Sequence, residues 1–343
     1  MVWSWRLVNT AIALALMVVL LGGWTRLNDA GLGCPDWPTC YGHFVLPPHE
    51  RLVEQVDEHF PGYQVDLHKG WLEMIHRYAA STLGLLILVQ ALWSRRQRKL
   101  KHYPVRLSLG LLALVIVQGI FGMWTVTLKL VPWVVTLHLL GGLATLALLV
   151  RLRQRLSKLR RRLSIDEARV VEPSVRLLMA VLFVQLALGG WTSSNYAGWA
   201  CDHWVSCRGG QVVDYDFGEG LNPLLPLGPN YEGGLLPAPA RVAIQMTHRA
   251  GALLLVLALA LASWRLRART EVKPWLGLCW GGLGLQLMLG ILNVIWQLPL
   301  GLAVAHHGVA VVLLLAVMGL YDRSYVQRTE VIHGNLSPGR IPS

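Results

Sequence analysis

Residues 21–40 read LGGWTRLNDAGLGCPDWPTC, and residues 188–207 read LGGWTSSNYAGWACDHWVSC. Leu21-Gly22-Gly23-Trp24-Thr25, Asn28, Ala30-Gly31, Cys34 and Cys40 return as Leu188-Gly189-Gly190-Trp191-Thr192, Asn195, Ala197-Gly198, Cys201 and Cys207, each displaced by 167 positions. An ungapped match that includes two cysteines marks an internal duplication. In both copies the match begins where an apolar run ends and continues into a long loop.

The surroundings of the repeat are those of a membrane protein. The chain has 343 residues, 54% hydrophobic and only 15% charged, whereas soluble domains carry about 25% charged residues. A span needs roughly 20 apolar residues. Runs of that kind lie between Arg6 and Arg26 and over Gly70–Ser94, Leu107–Leu128, Leu130–Val150, Leu177–Ala200, Val242–Trp264, Trp275–Leu298 and Pro299–Tyr321. The third and fourth are split only by Lys129–Pro132, the seventh and eighth by Gln297–Pro299, so each pair predicts a tight helical hairpin. The fold class is therefore all-α and polytopic: eight transmembrane helices as two four-helix bundles. Because the halves run in the same direction, a pseudo-two-fold axis along the membrane normal is expected. The predicted divisions are an N-terminal half (1–160), a basic linker (161–175), a C-terminal half (176–325) and a tail (326–343).

The net charge of +12 is a topology signal rather than a nucleic-acid footprint. Most of the basic residues follow the second, fourth and sixth spans or flank the termini, in runs such as Arg95-Arg96 and Arg160-Arg161-Arg162. The positive-inside rule makes that side cytoplasmic, with both termini, and puts the long loops after spans one and five in the periplasm of a bacterial inner membrane. No nucleic-acid partner is expected; membrane lipid is. Trp24-Thr25-Arg26 offers no signal-peptidase site, so the first run is kept as a span.

Each long loop carries a Cys-x5-Cys pair in an oxidising compartment, which predicts the disulfides Cys34–Cys40 and Cys201–Cys207. So short a ring stabilises by only about 2 kcal/mol. The second pair reads as a loop staple; the first reads either as a staple or as a redox element. The spacing is not that of structural zinc. Cys279, inside the seventh span, reads as a small buried apolar residue.

Ionisable groups inside spans are costly and point to function. Span two carries Glu73, His76 and Arg77, and span four carries His138. Span six carries Gln245, His248 and Arg249, and span eight carries His306 beside His307. Each histidine is expected six or seven residues past its helix start, about 10 Å deep. One histidine from each of two helices at equal depth is how a bundle holds a metal or haem. Two axial ligands suit haem iron, whereas two histidines make only half a zinc site. His307 is expected to face away from the partner of His306, since adjacent helical residues do not share a face. His43, His49, His59, His68, His102, His203 and His333 fall in loops or tails. Arg77 and Arg249 either snorkel to the interface or pair with a ligand carboxylate such as a haem propionate.

The halves differ at one telling position. Glu73 stands three residues before His76, and Gln245 stands three before His248. A carboxylate can move protons and an amide cannot. The difference predicts chemistry in the first half and electron storage or structure in the second.

At Glu73-x-x-His76-Arg77, at His138 after Pro132, at Gln245-x-x-His248-Arg249 and from Pro299 to Ala305-His306, the chain resembles the haem A synthases, a bacterial and mitochondrial family. The resemblance covers all eight helices, and the paired loop cysteines match bacterial members. It implies an oxidoreductase that turns the C8 methyl of haem O into a formyl group through a hydroxymethyl intermediate, supplying the haem of cytochrome oxidase. It implies His76 and His138 at the substrate haem iron, and His248 and His306 at the iron of a haem B cofactor. It also makes Glu73 essential and links the first-loop cysteines to the redox cycle. Arg77, Arg249 and Gln245 are then expected to bind the haems. Haem O synthase is implied as the delivery partner, together with an electron acceptor outside the chain. Two other classes fit the residues: a di-haem cytochrome b that relays electrons, and a haem-binding transporter or chaperone.

Overall fold

The computed structural model describes residues 2–60, 63–161, 169–210 and 213–327. Ten α-helices follow in order: α1 (Val2–Leu27), α2 (His49–His59), α3 (Leu67–Arg96), α4 (Val105–Thr127), α5 (Pro132–Arg160), α6 (Pro173–Ser194), α7 (Phe217–Gly220), α8 (Ala238–Arg265), α9 (Lys273–Ile295) and α10 (Leu300–Arg323). Eight helices among the described residues are long and apolar enough to cross a membrane, and they correspond to the eight expected spans. The loop helices α2 and α7 had no counterpart in the sequence reading. Two three-residue strands, β1 (Arg169–Val171) and β2 (Tyr325–Gln327), pair antiparallel. Residues 169–171 of the expected linker thus form β1, and α6 begins inside it at Pro173. Residues 162–168 of the linker and 328–343 of the tail, with His333, lie outside the described residues.

Local chemistry sets the helix ends. Asp66 caps α3 by accepting from the Lys69 N–H, and Glu172 caps α6 by accepting from Ser174 and Val175, satisfying amides that have no partner within the helix. Proline occupies the first turn of α5, α6, α8 and α9, where its missing N–H costs nothing. Both expected hairpins form. Lys129 and Leu130 end the first arm of one, Gln297 and Leu298 that of the other, all four in the left-handed region at φ 51–60°. The Leu130 and Leu298 amides reach back to Thr125 and Asn293 at 2.9 and 2.8 Å. The helix α5 runs ten residues beyond Val150, because its basic extension is made of good helix formers and packs on α1: Trp5 donates to Ser157 at 3.0 Å. The helix α6 stops at Ser194 rather than Ala200, where Tyr196 turns the chain at φ 53°.

Within the first half α1 packs on α3 and α5, and α4 lies between α3 and α5; in the second, α6 packs on α8 and α9 on α10. The halves meet through α5 against α6, α1 against α10, and α5 against α10. One apolar core crosses this boundary, from Val8 and Ala15 of α1 through Leu146 and Leu149 of α5 to Leu178 of α6 and Leu314 of α10. The outward faces stay apolar as well, with Leu85, Ile116, Val184, Leu253 and Leu278 all exposed, as lipid contact requires. At the loop-rich end, repeat mates touch each other. Arg26 donates to the Ser193 carbonyl at 2.5 Å and lies 4.3 Å over the Tyr196 ring, and Tyr196 donates to Asp29 at 2.9 Å. Burial raises the Tyr196 phenol above its ordinary range.

Candidate functional site

The four span histidines each lie against a glycine of a neighbouring helix. His76 of α3 faces Gly22 of α1, where a Cβ would come within 2.9 Å of the imidazole. His138 of α5 faces Gly122 of α4 at 3.3 Å, His248 of α8 faces Gly189 of α6 at 3.4 Å, and His306 of α10 faces Gly290 of α9 at 3.3 Å. Gly22 and Gly189 are repeat mates in the duplicated stretch, which gives their presence a packing reason. A side chain at Gly22 would displace the His76 ring, one at Gly122 or Gly290 would crowd its histidine, and one at Gly189 would only touch His248.

Helix length corrects one expectation. Because α3 and α8 start a turn earlier than expected, His76 and His248 lie nine and ten residues past the helix start, against six for His138 and His306. In the first half the helix offset compensates. The rings of His76 and His138 meet with centroids 6.5 Å apart and planes at 82°, a spacing that admits one shared ion at metal–nitrogen bonds of about 2 Å. Nδ1 of His76, of His138 and of His306 is buried with no hydrogen-bond partner. Nδ1 of His248 meets the Gln185 amide nitrogen at 3.2 Å, and Nε2 of His306 meets that of Gln286 at 3.1 Å.

The His306-His307 doublet divides between two neighbours. His307 turns to α1, overlapping the space a Cβ on Gly23 would need and bonding the Val19 carbonyl at 3.1 Å. His306 turns to α9, as the repeat position of His138 demands. Among the described residues no three His, Cys, Asp or Glu side chains converge on an ion. The facing imidazoles of His76 and His138, each with an unpartnered Nδ1 and set against a glycine in an apolar bundle, fit an iron cofactor that takes two histidines and do not fit a tetrahedral zinc.

Both cysteine pairs are disulfides, Cys34–Cys40 and Cys201–Cys207, and Cys279 is buried and unpaired. The first ring sits directly on α3. At Gly33 the backbones approach so closely that a Cβ would lie 2.5 Å from Lys69. The Asp36 side chain braces the ring, accepting from the Tyr41 and Gly42 amides at 2.6 and 3.0 Å and from the Thr39 hydroxyl. Burial also pushes the neighbouring Tyr41 phenol up.

Glu73 is 6% exposed. One carboxylate oxygen accepts from the Cys34 amide at 2.9 Å and the other from Arg77 at 2.5 Å. Arg77 also donates to the carbonyls of Thr39, Asp36 and Pro38 at 2.6, 3.0 and 3.2 Å. In the second half Arg249 donates to the His203 and Trp204 carbonyls at 3.2 and 2.7 Å, all from Nη1, while its Nη2 is buried without a partner. Gln245 is as buried as Glu73, and its Oε1 is likewise unpartnered. The sequence reading missed Gln185, Gln286 and the four glycines. The signal available was a lone amide in an otherwise apolar span, and glycines recurring at the repeat spacing.

The second loop also crosses to the first half. The Tyr231 amide donates to the Lys129 carbonyl at 3.1 Å, Glu232 lies 3.9 Å from Lys69, and Tyr231 and Leu225 pack on Leu130 and Val134.

Fold and site together define a polytopic helical membrane protein with two repeat-related histidine pairs near one end of its bundle. The chain belongs to the COX15-CtaA family, described as cytochrome oxidase assembly protein, which it matches over residues 5–318. It is 41% identical over 312 residues to the heme A synthase of Shewanella oneidensis, covering 91% of this chain and 94% of that protein. It is 31% identical over 336 residues to that of Bradyrhizobium diazoefficiens (92% and 89%) and 28% identical over 326 residues to that of Parvibaculum lavamentivorans (90% of each).

Proposed function

We propose that the protein is a haem A synthase that oxidises the C8 methyl of haem O to a formyl group through a hydroxymethyl intermediate. The observation that carries this reading is the pairing of His76 with His138 beside Glu73, the only carboxylate in the loop-side half of any span. His76 and His138 take the substrate iron. Glu73 serves the chemistry at the haem edge, either capturing a cationic centre at the methyl carbon or deprotonating a water that does so. Gln245 could do neither. The second pair, His248 and His306, holds haem B, which when bound supplies one-electron redox chemistry. Gln185 orients His248, Gln286 contacts His306, and the free Nη2 of Arg249 with Gln245 beside it suits a propionate. The relatives, all named heme A synthase, support the activity.

The two halves, 1–160 and 176–325, are read as bundles related by a pseudo-two-fold axis. The direct contacts of Arg26 with Ser193 and of Asp29 with Tyr196 support it, since a residue that touches its own repeat mate lies beside the axis. Basic residues at one end and disulfides at the other support cytoplasmic termini and periplasmic loops in an inner membrane. Haem O synthase is the natural delivery partner, because the substrate is too apolar to travel through water, and an external acceptor takes the electrons.

Purified protein supplied with haem O and an electron acceptor should yield haem A by pigment extraction. Recovery of haem O unchanged, alongside an intact haem B spectrum, would instead mark an electron relay or a haem carrier.

A further inference from the structure

We propose that the Cys34–Cys40 ring acts through Arg77: its backbone is a template that fixes the guanidinium and, through it, the carboxylate of Glu73. This rests on the reading that Glu73 serves the substrate site. Arg77 is then a positioning residue, and the disulfide keeps its template closed.

The contacts form a closed set. Three carbonyls inside the ring, those of Asp36, Pro38 and Thr39, accept from Arg77. Apart from a contact of Nη1 with the Met74 sulfur at 3.8 Å, the guanidinium's other bond goes to Glu73, whose second oxygen is held by the Cys34 amide at the ring's first residue. Both terminal nitrogens of Arg77 and both oxygens of Glu73 are thereby satisfied within the protein, with no terminal nitrogen left over for a propionate. Three carbonyls converging from one short segment is an arrangement that an open chain would have to order at an entropic cost, and the cross-link lowers that cost in advance. The bracing by Asp36 and the close approach at Gly33 hold the template against α3.

The second ring shows what the same device does without a target. Its carbonyls at His203 and Trp204 engage one nitrogen of Arg249, the other nitrogen is left unpartnered, and Gln245 accepts nothing. The template and arginine persist there, but no carboxylate is held.

The test uses the full-length protein in detergent with haem O, comparing Arg77→Ala, the pair Cys34→Ala with Cys40→Ala, and all three together. Arg77→Ala and the opened ring should each lower kcat at least about tenfold, as loss of hydrogen bonds to a charged group does, with Kd for haem O, from Soret titration, within about twofold. The triple variant should be no slower than Arg77→Ala, because elements acting through one another are not additive. Losses that multiply in the triple variant would overturn the proposal, since a ring exchanging electrons on its own account would give that result. So would an Arg77→Ala loss that appears wholly as weaker haem O binding, the mark of a propionate contact. Arg77→Lys keeps the charge without the fork and guards against misfolding. It should recover part of kcat, and recovery of none with haem O still bound would also count against the template. Glu73→Gln measured in parallel separates the two levels. Near-wild-type turnover there removes the underlying reading, whereas its full loss beside multiplicative ring and Arg77 effects removes only the template.

Discussion

Above the first bundle, Arg77 ties three ring carbonyls to Glu73; above the second, Arg249 reaches two ring carbonyls and stops. Around this difference almost everything is shared: the disulfide rings, the glycines against the histidines, the left-handed hairpin turns and the burial of the residue at 73 or 245. The comparison separates scaffold from chemistry. If the bundle needed only shape at this position, the isosteric amide would serve in both halves, without the desolvation cost of a buried ion pair. The first half bears that cost, holding an ionisable group within a few residues of a histidine pair. The second half leaves an amide oxygen and an arginine nitrogen unpartnered, polar groups for a ligand to meet.

Substitutions test each element of this difference. The largest effect is expected at the second pair: His248→Leu or His306→Leu should abolish the stable low-spin haem B spectrum while the protein still inserts, and retention of that spectrum in both would end the assignment. Next, Glu73→Gln, which makes the first half imitate the second, should still bind haem O yet lower formation of alcohol and aldehyde by about 100-fold or more, the range for loss of a proton-transfer group. Product analysis reads this directly, and turnover near the wild-type rate would reduce Glu73 to a structural residue.

A smaller effect separates the rings. Cys34→Ser should reduce turnover more than Cys201→Ser at matched amounts of folded protein, because the first ring donates from the Cys34 amide to the span carboxylate Glu73 and the second half carries Gln245 in its place; equal losses would make both of them staples. The smallest effect lies at the glycines. A Cβ on Gly22 would stand 2.9 Å from His76, but one on Gly189 would stand 3.4 Å from His248, an ordinary contact. Gly22→Ala should therefore weaken haem O binding by about tenfold, in line with mild overpacking, and Gly189→Ala should leave the haem B spectrum nearly unchanged. The reverse order would mean that the first cradle is the softer one.

The eight spans, the duplication, the disulfide pairs and the four histidines are all legible in the chain itself. Each depends on a local property: apolar length against bilayer thickness, a residue pattern at a fixed displacement, or a costly group in an apolar run. The contrast between Glu73 and Gln245 is legible for the same reason, as a difference between two copies of one pattern. What surrounds these residues is not. Backbone carbonyls carry no sequence signature, so the partners that hold Arg77 could be found only once the ring was folded onto α3. The division of the doublet, with His306 toward α9 and His307 toward α1, depends on how α10 is rotated against its neighbours. The crossing of the second loop onto the first hairpin at Lys129 joins residues about a hundred positions apart. Hydropathy and spacing decide which segments enter the membrane and which side chains they carry. The packing of helices and loops decides which of those side chains meet, because that depends on long-range contacts that no single segment contains.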